Sequence, residues 1–461
     1  MIGNPEFKRN LWIQFTSTRV LVAGLLTGLL LACAFAVDYA LANRRQFSPD
    51  ITAFVARWLA IAIVLLWAGR QAAGAVLREI RGRTWDAQRL STLHPWSMAW
   101  GKLFGTTSLA WILAIICAAA YLAAALFERP QPRPFGATLV TVAGILGYGL
   151  VCQATGLLAS LARLSGRPGE RGGGTTLAHA VGLIATALLG GFVIWALENE
   201  ARWFGFEIGA PGLRLVTIWF FALWAVVGVY RRMRRELQML AVPWAWLLFL
   251  VSFVVYGEGL AYGRGQPQAA LLLPAGLVTL MLWTITLIEA KDPLTLRQTF
   301  GACRRGRWGH AATLVPLWLV TYAVFAAVTV VGIVVAATGA PALAVLRIPG
   351  ETESATVLIL AATFLFVTRD VLIVQILTLG RESNLAGLTG AVSWFVLYVA
   401  VPAVFIAGQQ TRLLGLVLPT GQGGWMICLL SAGAQALLCL IVTVWRWRAY
   451  WRENAAKAPT A

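Results

Sequence analysis

Charged side chains are scarce in this sequence. Asp, Glu, Lys and Arg make up only 12 % of the 461 residues, whereas 59 % are hydrophobic, and the mean hydropathy is +0.75. A soluble chain has about a quarter charged residues, so this chain lacks the polar groups needed to cover a surface that faces water. The composition excludes a water-soluble globular protein and predicts an all-α integral membrane protein that crosses the bilayer many times.

Residues that hold metals or form disulfides are few and dispersed. The three histidines, His94, His179 and His310, lie far apart in the sequence. The six cysteines form no CxxC pair, so the sequence indicates neither a zinc site nor a disulfide framework. We expect no metal and no cofactor in this chain, and we interpret each histidine as a polar group with an ordinary hydrogen-bond partner.

The sequence also has no phosphate-binding loop. Such a loop needs Gly, four residues, then Gly-Lys followed by Ser or Thr, because the lysine and the backbone amides hold the phosphates. Gly101-Lys102 is followed by Leu103, and the other lysines are Lys8, Lys291 and Lys457, none of which follows a glycine. Any ATP and magnesium must therefore be bound by a partner subunit.

Long uncharged runs give the chain its organisation. Runs such as 103–127, 311–346 and 413–445 exceed the roughly 20 residues that cross the hydrocarbon core as a helix. The first span is too long for a signal peptide, and we treat it as retained. The hydropathy pattern predicts about twelve spans, near 20–42, 51–73, 103–127, 136–162, 177–197, 214–231, 240–259, 270–289, 311–338, 354–379, 388–408 and 425–445.

The basic residues are arranged as an orientation signal. A net charge of +18 would suggest nucleic-acid binding in a soluble protein, but here the basic residues lie between hydrophobic runs. Most of them fall in alternate loops on one side of the membrane, and positive loops stay in the cytoplasm. We therefore predict no nucleic-acid partner and a cytoplasmic location for both termini.

The N-terminal segment predicts a short amphipathic helix. Asn4 is a good N-cap, and Pro5 suits the first helical position. Phe7, Leu11 and Phe15 recur every four residues and form one apolar face. We expect this helix to lie in the headgroup plane before the chain enters the first span.

The loop between the second and third spans, residues 74–102, carries several charges of both signs. Thr84 is a candidate N-cap for a short helix with Asp86 in its first turn. Pro95 is expected to end that helix, and Ser97 to cap the next one. A short helix with charges and a few apolar side chains is suited to docking into a groove of a partner protein.

These features resemble the type-2 family of ABC transporter permeases, most clearly over residues 4–127. The resemblance rests on the N-terminal helix, two spans and the pattern Glu79, Thr84-Trp85-Asp86, Leu90, Leu93, Pro95, Ser97 and Gly101-Lys102. It implies that the loop contains a coupling helix that seats in a cleft of a separate ATPase subunit. The expected ATPase-coupling residues are Glu79, Thr84, Trp85, Asp86, Arg89, Leu93 and Pro95, with Trp85 and Leu93 as apolar anchors. The alternative is that this loop is only a positive orientation signal.

The sequence divides into four parts. Residues 1–19 form the interfacial helix, 20–235 a six-span permease-like domain, 236–450 a second six-span domain and 451–461 a flexible tail. The loop 289–310 corresponds to the coupling loop of the first domain, and its candidate coupling residues are Glu289, Asp292 and Thr295. Two interpretations stay open: a degenerate internal repeat, or an accessory extension on a permease that pairs with a second copy.

Arg369 and Asp370 lie inside an otherwise apolar stretch. A charge in the hydrocarbon core is costly, so the two residues mark a possible intramembrane polar site. Only 15 uncharged residues, 354–368, precede them, which is too few to cross a bilayer at about 1.5 Å per residue. Either the helix continues to Leu379 with the pair near its middle, or it breaks and 371–379 lies along the membrane surface.

We therefore predict the membrane-spanning permease subunit of an ABC transporter, an exporter of a bacterial inner membrane, that is not itself an enzyme. Its expected partners are a separately encoded ATPase subunit, the lipid bilayer and, in the second interpretation, another permease copy. One alternative is a twelve-span secondary active transporter, which would need acidic or histidine residues deep in several spans. The other is a polytopic membrane enzyme, which would need paired acids or a His/Cys cluster on one face.

Overall fold

The computed structural model describes residues 3–42, 47–91, 93–127, 134–164, 175–196, 202–239, 242–263, 267–289, 293–338, 351–379 and 386–456. These residues are almost entirely helical. The strands within them are the two-residue strands β1 (Arg202–Trp203) and β2 (Phe206–Glu207), which pair with each other. The predicted all-α fold is confirmed.

The chain forms two compact units. The first contains residues 1–201 and 207–241. Two π-helical segments, Ile63–Ala68 and Gly101–Gly105, lie between its helices. Its helices are α1 (Pro5–Gln14), α2 (Ser17–Ala42), α3 (Asp50–Ala62), α4 (Gly69–Arg81), α5 (Trp85–Arg89), α6 (Pro95–Trp100), α7 (Ser108–Phe127), α8 (Phe135–Leu164), α9 (Thr175–Ala196) and α10 (Ala210–Glu236).

The second unit contains residues 202–206 and 242–461. A π-helical segment, Val396–Ala400, joins two of its helices, and a 3₁₀ segment, Thr411–Leu416, follows the second of them. Its helices are α11 (Trp244–Gly263), α12 (Pro267–Ile288), α13 (Pro293–Arg304), α14 (Trp308–Leu314), α15 (Leu317–Thr338), α16 (Glu351–Thr378), α17 (Ala386–Phe395), α18 (Val401–Ala407) and α19 (Trp425–Ala456).

Ten helical stretches within the described residues are long and apolar enough to cross a membrane: Ser17–Ala42, Asp50–Arg81, Ser108–Phe127, Phe135–Leu161, Ala210–Glu236, Trp244–Tyr262, Leu317–Thr338, Ala355–Thr378, Ala386–Ala407 and Trp425–Arg452. The other two predicted spans, 177–197 and 270–289, coincide with α9 and α12. Their described apolar parts, Ala178–Val193 and Leu272–Leu287, are shorter. The protein is a multi-pass membrane protein.

The spans of each unit pack in the same order. In the first unit the second span, α3–α4, contacts α2, α7, α8 and α9, and α8 contacts α9 and α10. In the second unit the second span, α12, contacts α11, α15, α16 and α17, and α16 contacts α17 and α19. The second and fourth spans are thus the central helices of each unit.

A π-helical turn, Ile63–Ala68, lies in the second span of the first unit. Such a turn frees backbone carbonyls, which inside a membrane need other partners. His179 Nε2 lies 2.8 Å from the carbonyl oxygen of Leu65, and Gln153 Nε2 donates to that of Val64 at 3.4 Å. The interpretation of His179 as a hydrogen-bonded polar group is confirmed.

The predicted span 354–379 is a single helix that continues through its two charged residues. Helix α16 runs without a break from Glu351 to Thr378, so Arg369 and Asp370 lie inside it. Of the two alternatives for this segment, the continuous helix is the observed one. The helix that would lie along the membrane surface does not form.

Candidate functional site

The N-terminal helix is capped and docked by one residue. The side-chain oxygen of Asn4 accepts hydrogen bonds from the backbone amides of Glu6 and Phe7, at 3.0 and 3.2 Å. Its amide nitrogen donates to the carbonyl oxygen of Ser97 at 2.7 Å. The predicted N-cap is therefore confirmed, and it also attaches α1 to α6.

Helix α1 places its polar face against the protein. Glu6, Asn10 and Gln14 recur every four residues, and all three are buried. On the outer side, Trp12 is 80 % exposed and Ile13 is 50 % exposed. An apolar outer face beside a membrane span fits a helix that lies in the headgroup plane.

Two glycines allow α1 to approach the start of the third span. A Cβ on Gly101 would lie 2.6 Å from Glu6 Cγ and 2.8 Å from the amide nitrogen of Phe7. A Cβ on Gly105 would lie 2.9 Å from Asn10 Cβ. Larger residues at either position would therefore push the helix away. Gly101 belongs to the pattern recognised in the sequence, whereas Gly105 was missed.

Between these glycines lies a completely buried lysine. Lys102 has 0 % exposure, and its Nζ donates to Glu6 Oε1 at 3.1 Å, to Gln88 Oε1 at 2.8 Å and to Glu79 Oε2. Arg9 forms ion pairs with the same two carboxylates, at 3.1 Å to Glu6. We call Glu6, Arg9, Glu79 and Lys102 the ion cluster. Its two acids and two bases balance, as buried charges require.

The ion cluster joins three segments of the first unit, and its hydrogen bond to Gln88 adds a fourth. Glu6 and Arg9 come from α1, Glu79 from the last turns of α4, and Lys102 from the start of the third span. Gln88 adds the short helix α5. Sequence reasoning selected Glu79 but missed the role of Lys102. The available signal was an isolated lysine followed directly by an apolar run.

Trp85 was predicted to be an apolar anchor for a partner, and this prediction is wrong. Its side chain is only 5 % exposed, and its ring centre lies 5.2 Å from Lys102 Nζ. A buried ammonium over an indole face is a favourable cation–π contact, which explains why the ring points inward. Trp85 is a packing residue of the ion cluster.

Three expectations for the ends of the short helices are also wrong. Thr84 precedes α5 but makes no side-chain cap, because its hydroxyl instead donates to the carbonyl oxygen of Glu79 at 3.3 Å. Helix α5 ends at Arg89, and Pro95 starts α6 rather than ending α5. The cap of α6 is His94, which accepts from the amide of Trp96 at 3.2 Å, rather than Ser97.

The exposed apolar residue of this segment is Leu90, which directly follows α5. Leu90 is 88 % exposed and Asp86 lies beside it in the open, whereas Leu93 is only partly exposed. Arg89 donates from Nε to the carbonyl oxygen of Glu236 at 3.0 Å, which ties α5 to the end of α10. Because Asp86 and Leu90 are four residues apart, helical spacing would have placed them on one face.

The corresponding segment of the second unit is built differently. Glu289 accepts hydrogen bonds from the backbone amides of Leu317 and Trp318, both at 2.9 Å, and thus caps α15. Thr295 lies in the first turn of α13, and its carbonyl oxygen accepts from Thr299. Asp292 lies outside the described residues.

Arg369 and Asp370 form a closed polar cluster within the second unit. Arg369 Nη2 lies 2.8 Å from Asp370 Oδ1, and Arg369 Nη1 donates to Gln435 Oε1 at 2.7 Å. The hydroxyl of Tyr398 donates to Asp370 Oδ2 at 2.5 Å. Both charged residues are buried and satisfied by three helical segments. Sequence reasoning found the pair but missed Tyr398.

Over the described residues, no group of three or more His, Cys, Asp or Glu residues is arranged to hold a metal ion. No protein-family model, curated protein or solved structure matches the chain.

Proposed function

We propose that this chain is the membrane-spanning permease subunit of an ABC transporter, driven by a separately encoded ATPase subunit. The observation that carries the proposal is the attachment of α5. Its outer face offers Asp86 and Leu90 to a partner, while its inner face is held by Lys102 through Gln88 and Trp85. The absence of a phosphate-binding loop from the sequence agrees with an ATPase on another chain.

The geometry suggests how movement of a partner would reach the membrane. Glu79 is in α4, which is part of the second span, and Lys102 is in the π-helical segment that leads into the third span. Separating them would leave a charge buried without its partner, which typically costs about 3–5 kcal/mol. A push on α5 therefore moves both spans together with α1 rather than bending the loop alone.

Leu90 replaces Trp85 as the proposed apolar anchor. Central apolar anchors of an interface typically contribute about 2 kcal/mol or more to binding. Asp86 and Arg89 would set the orientation of the partner from the wet rim of the contact. Transport outward and location in a bacterial inner membrane with cytoplasmic termini are parts of the same proposal, supported by the family resemblance and the charge distribution.

A secondary active transporter is the second candidate, because Arg369 and Asp370 are charges inside a span. Their partners argue for a packing role, since Tyr398 and Gln435 satisfy both groups within the unit. For a membrane enzyme, the described residues offer no group of three His, Cys, Asp or Glu side chains that could hold a catalytic metal ion. The permease proposal accounts for the larger set of contacts.

The test is affinity purification of the intact chain in mild detergent, followed by identification of the subunits that remain bound. We expect an ATPase subunit to co-purify, and ATP turnover to disappear when it is removed. Reconstituted transport should require ATP. Transport driven by a sodium or proton gradient without ATP would instead establish the secondary transporter.

A further inference from the structure

The second unit carries an unusually basic surface beside α15. Helix α13, the turn between α13 and α14, and the final turns of α19 contribute exposed arginines. We call this set the arginine surface: Arg297, Arg304, Arg305, Arg307, Arg446, Arg448 and Arg452.

Among the described residues, no acidic side chain pairs with the three central arginines of this surface. Over the described residues, Arg304, Arg305 and Arg307 take part in no ion pair. The nearest acid that the structure describes along the chain, Glu289, accepts from the backbone amides of Leu317 and Trp318. All three side chains are exposed, so an anion from outside the chain can reach their guanidinium groups.

Large apolar side chains alternate with these arginines. Trp308 is 69 % exposed, and Leu294, Phe300 and Trp445 are exposed as well. Tryptophan and arginine together are typical of the membrane interface, where the ring sits among headgroups and the charge faces phosphate. Because α14 is followed within three residues by the span α15, the arginine surface lies next to the bilayer.

One contact holds the two parts of the surface together. The guanidinium carbon of Arg297 lies 4.4 Å from the ring centre of Trp451, which joins α13 to the end of α19. This contact places Arg297 of α13 beside the last turns of α19.

We propose that the arginine surface binds the phosphate groups of anionic phospholipids. Clustered arginines beside a span are strongly attracted to anionic headgroups, because each positive charge near the membrane surface contributes about 1 kcal/mol. The proposal does not depend on the transport function. It gives α13 and α14 a lipid partner, in contrast to the protein partner proposed for α5.

The experiment uses the full chain in an uncharged detergent, with phosphatidylglycerol or phosphatidylcholine added and the bound lipids counted by native mass spectrometry. We expect the protein to bind more phosphatidylglycerol than phosphatidylcholine. In the triple variant R304Q/R305Q/R307Q, the ratio of bound phosphatidylglycerol to bound phosphatidylcholine should fall about tenfold or more. The matched control is K8Q/R81Q/R83Q, which removes three exposed basic residues of the first unit and should keep the preference.

Two further arms separate the alternatives. The variant R304K/R305K/R307K keeps the charge and should retain most of the preference, which also shows that these positions tolerate substitution. Inorganic phosphate at the lipid concentration should not displace phosphatidylglycerol, because it lacks the apolar part that Trp308 and Phe300 contact. The proposal is overturned by equal binding of the two lipids, by equal losses in both glutamine triples, by loss in the lysine triple, or by displacement with phosphate.

Discussion

In each unit the segment after the second span begins with a glutamate, but the two glutamates bind different partners. Glu79 and Glu289 both lie at the end of the second span, and both reach the start of the third. Glu79 binds the side chain of Lys102, whereas Glu289 binds the backbone amides of Leu317 and Trp318. A carboxylate at this position thus ties two spans together in either unit, by an ion pair in one and by a helix cap in the other.

What surrounds each carboxylate differs in a way that suggests different partners. In the first unit Arg9 and Lys102 pair with Glu79, and the exposed residues of the segment that follows include Asp86 and Leu90. In the second unit the exposed arginines are in excess. Together with the shared packing order of the spans, this comparison leads us to infer a degenerate repeat whose two loops face a protein and a lipid surface respectively.

The largest expected effect tests whether the ion cluster at Glu79 stabilises the protein more than the helix cap at Glu289 does. Lys102→Met should lower the free energy of unfolding by about 3–5 kcal/mol, because it leaves Glu6 and Glu79 buried with only Arg9 to pair with. Thermal unfolding in detergent measures this, with the exposed Lys8→Met as control. Adding Glu79→Gln to Lys102→Met should recover part of the loss. Equal stability of Lys102→Met and Lys8→Met would contradict a stabilising role for this cluster.

A second pair of variants separates docking from packing on α5. Leu90→Ala should weaken association of the ATPase subunit by about 30-fold, equivalent to about 2 kcal/mol, with unchanged thermal stability. Trp85→Ala should do the reverse and destabilise the protein by about 3 kcal/mol, because it opens a cavity beside Lys102. Co-purification and thermal unfolding are measured on both. The assignment fails if Leu90→Ala leaves association at its original level.

The close approach of α1 gives a smaller effect. Gly101→Ala should destabilise the first unit by about 1–3 kcal/mol, because the added methyl group meets Glu6 and the backbone of Phe7. Gly24→Ala is the matched control, since a Cβ there meets nothing within 4 Å. Limited proteolysis near residue 10 should report release of α1 in the first variant. Identical digestion patterns would show that α1 tolerates the methyl group.

The smallest effect concerns the second carboxylate. Glu289→Gln should cost only about 1 kcal/mol, because a neutral amide oxygen can still accept from the start of α15 but no longer complements the helix dipole. The measurement is thermal unfolding beside Glu79→Gln, which should cost more. A larger loss at Glu289 than at Glu79 would reverse the comparison between the two units.

The spans were predictable because their signal is local and strong. Predicted and observed spans such as 20–42 and Ser17–Ala42 differ by a few residues, since about 20 apolar residues leave a helix little alternative in lipid. The ion cluster was not predictable, because Glu6 and Lys102 are distant in sequence and their pairing is decided by packing. Trp85 was assigned to the wrong side because a helix of five residues is too short to show a periodicity.

The buried position of Lys102 has a consequence for the order in which the protein is assembled. Helix α1 leaves the ribosome early, but Glu6 finds its lysine partner 96 residues later in the chain. Until the start of the third span has been synthesised, the polar face of α1 can contact only water and headgroups. During that time Trp12 and Ile13 anchor the helix to the membrane. Helix α1 is therefore made before the two spans that follow it, and it docks after they have been inserted.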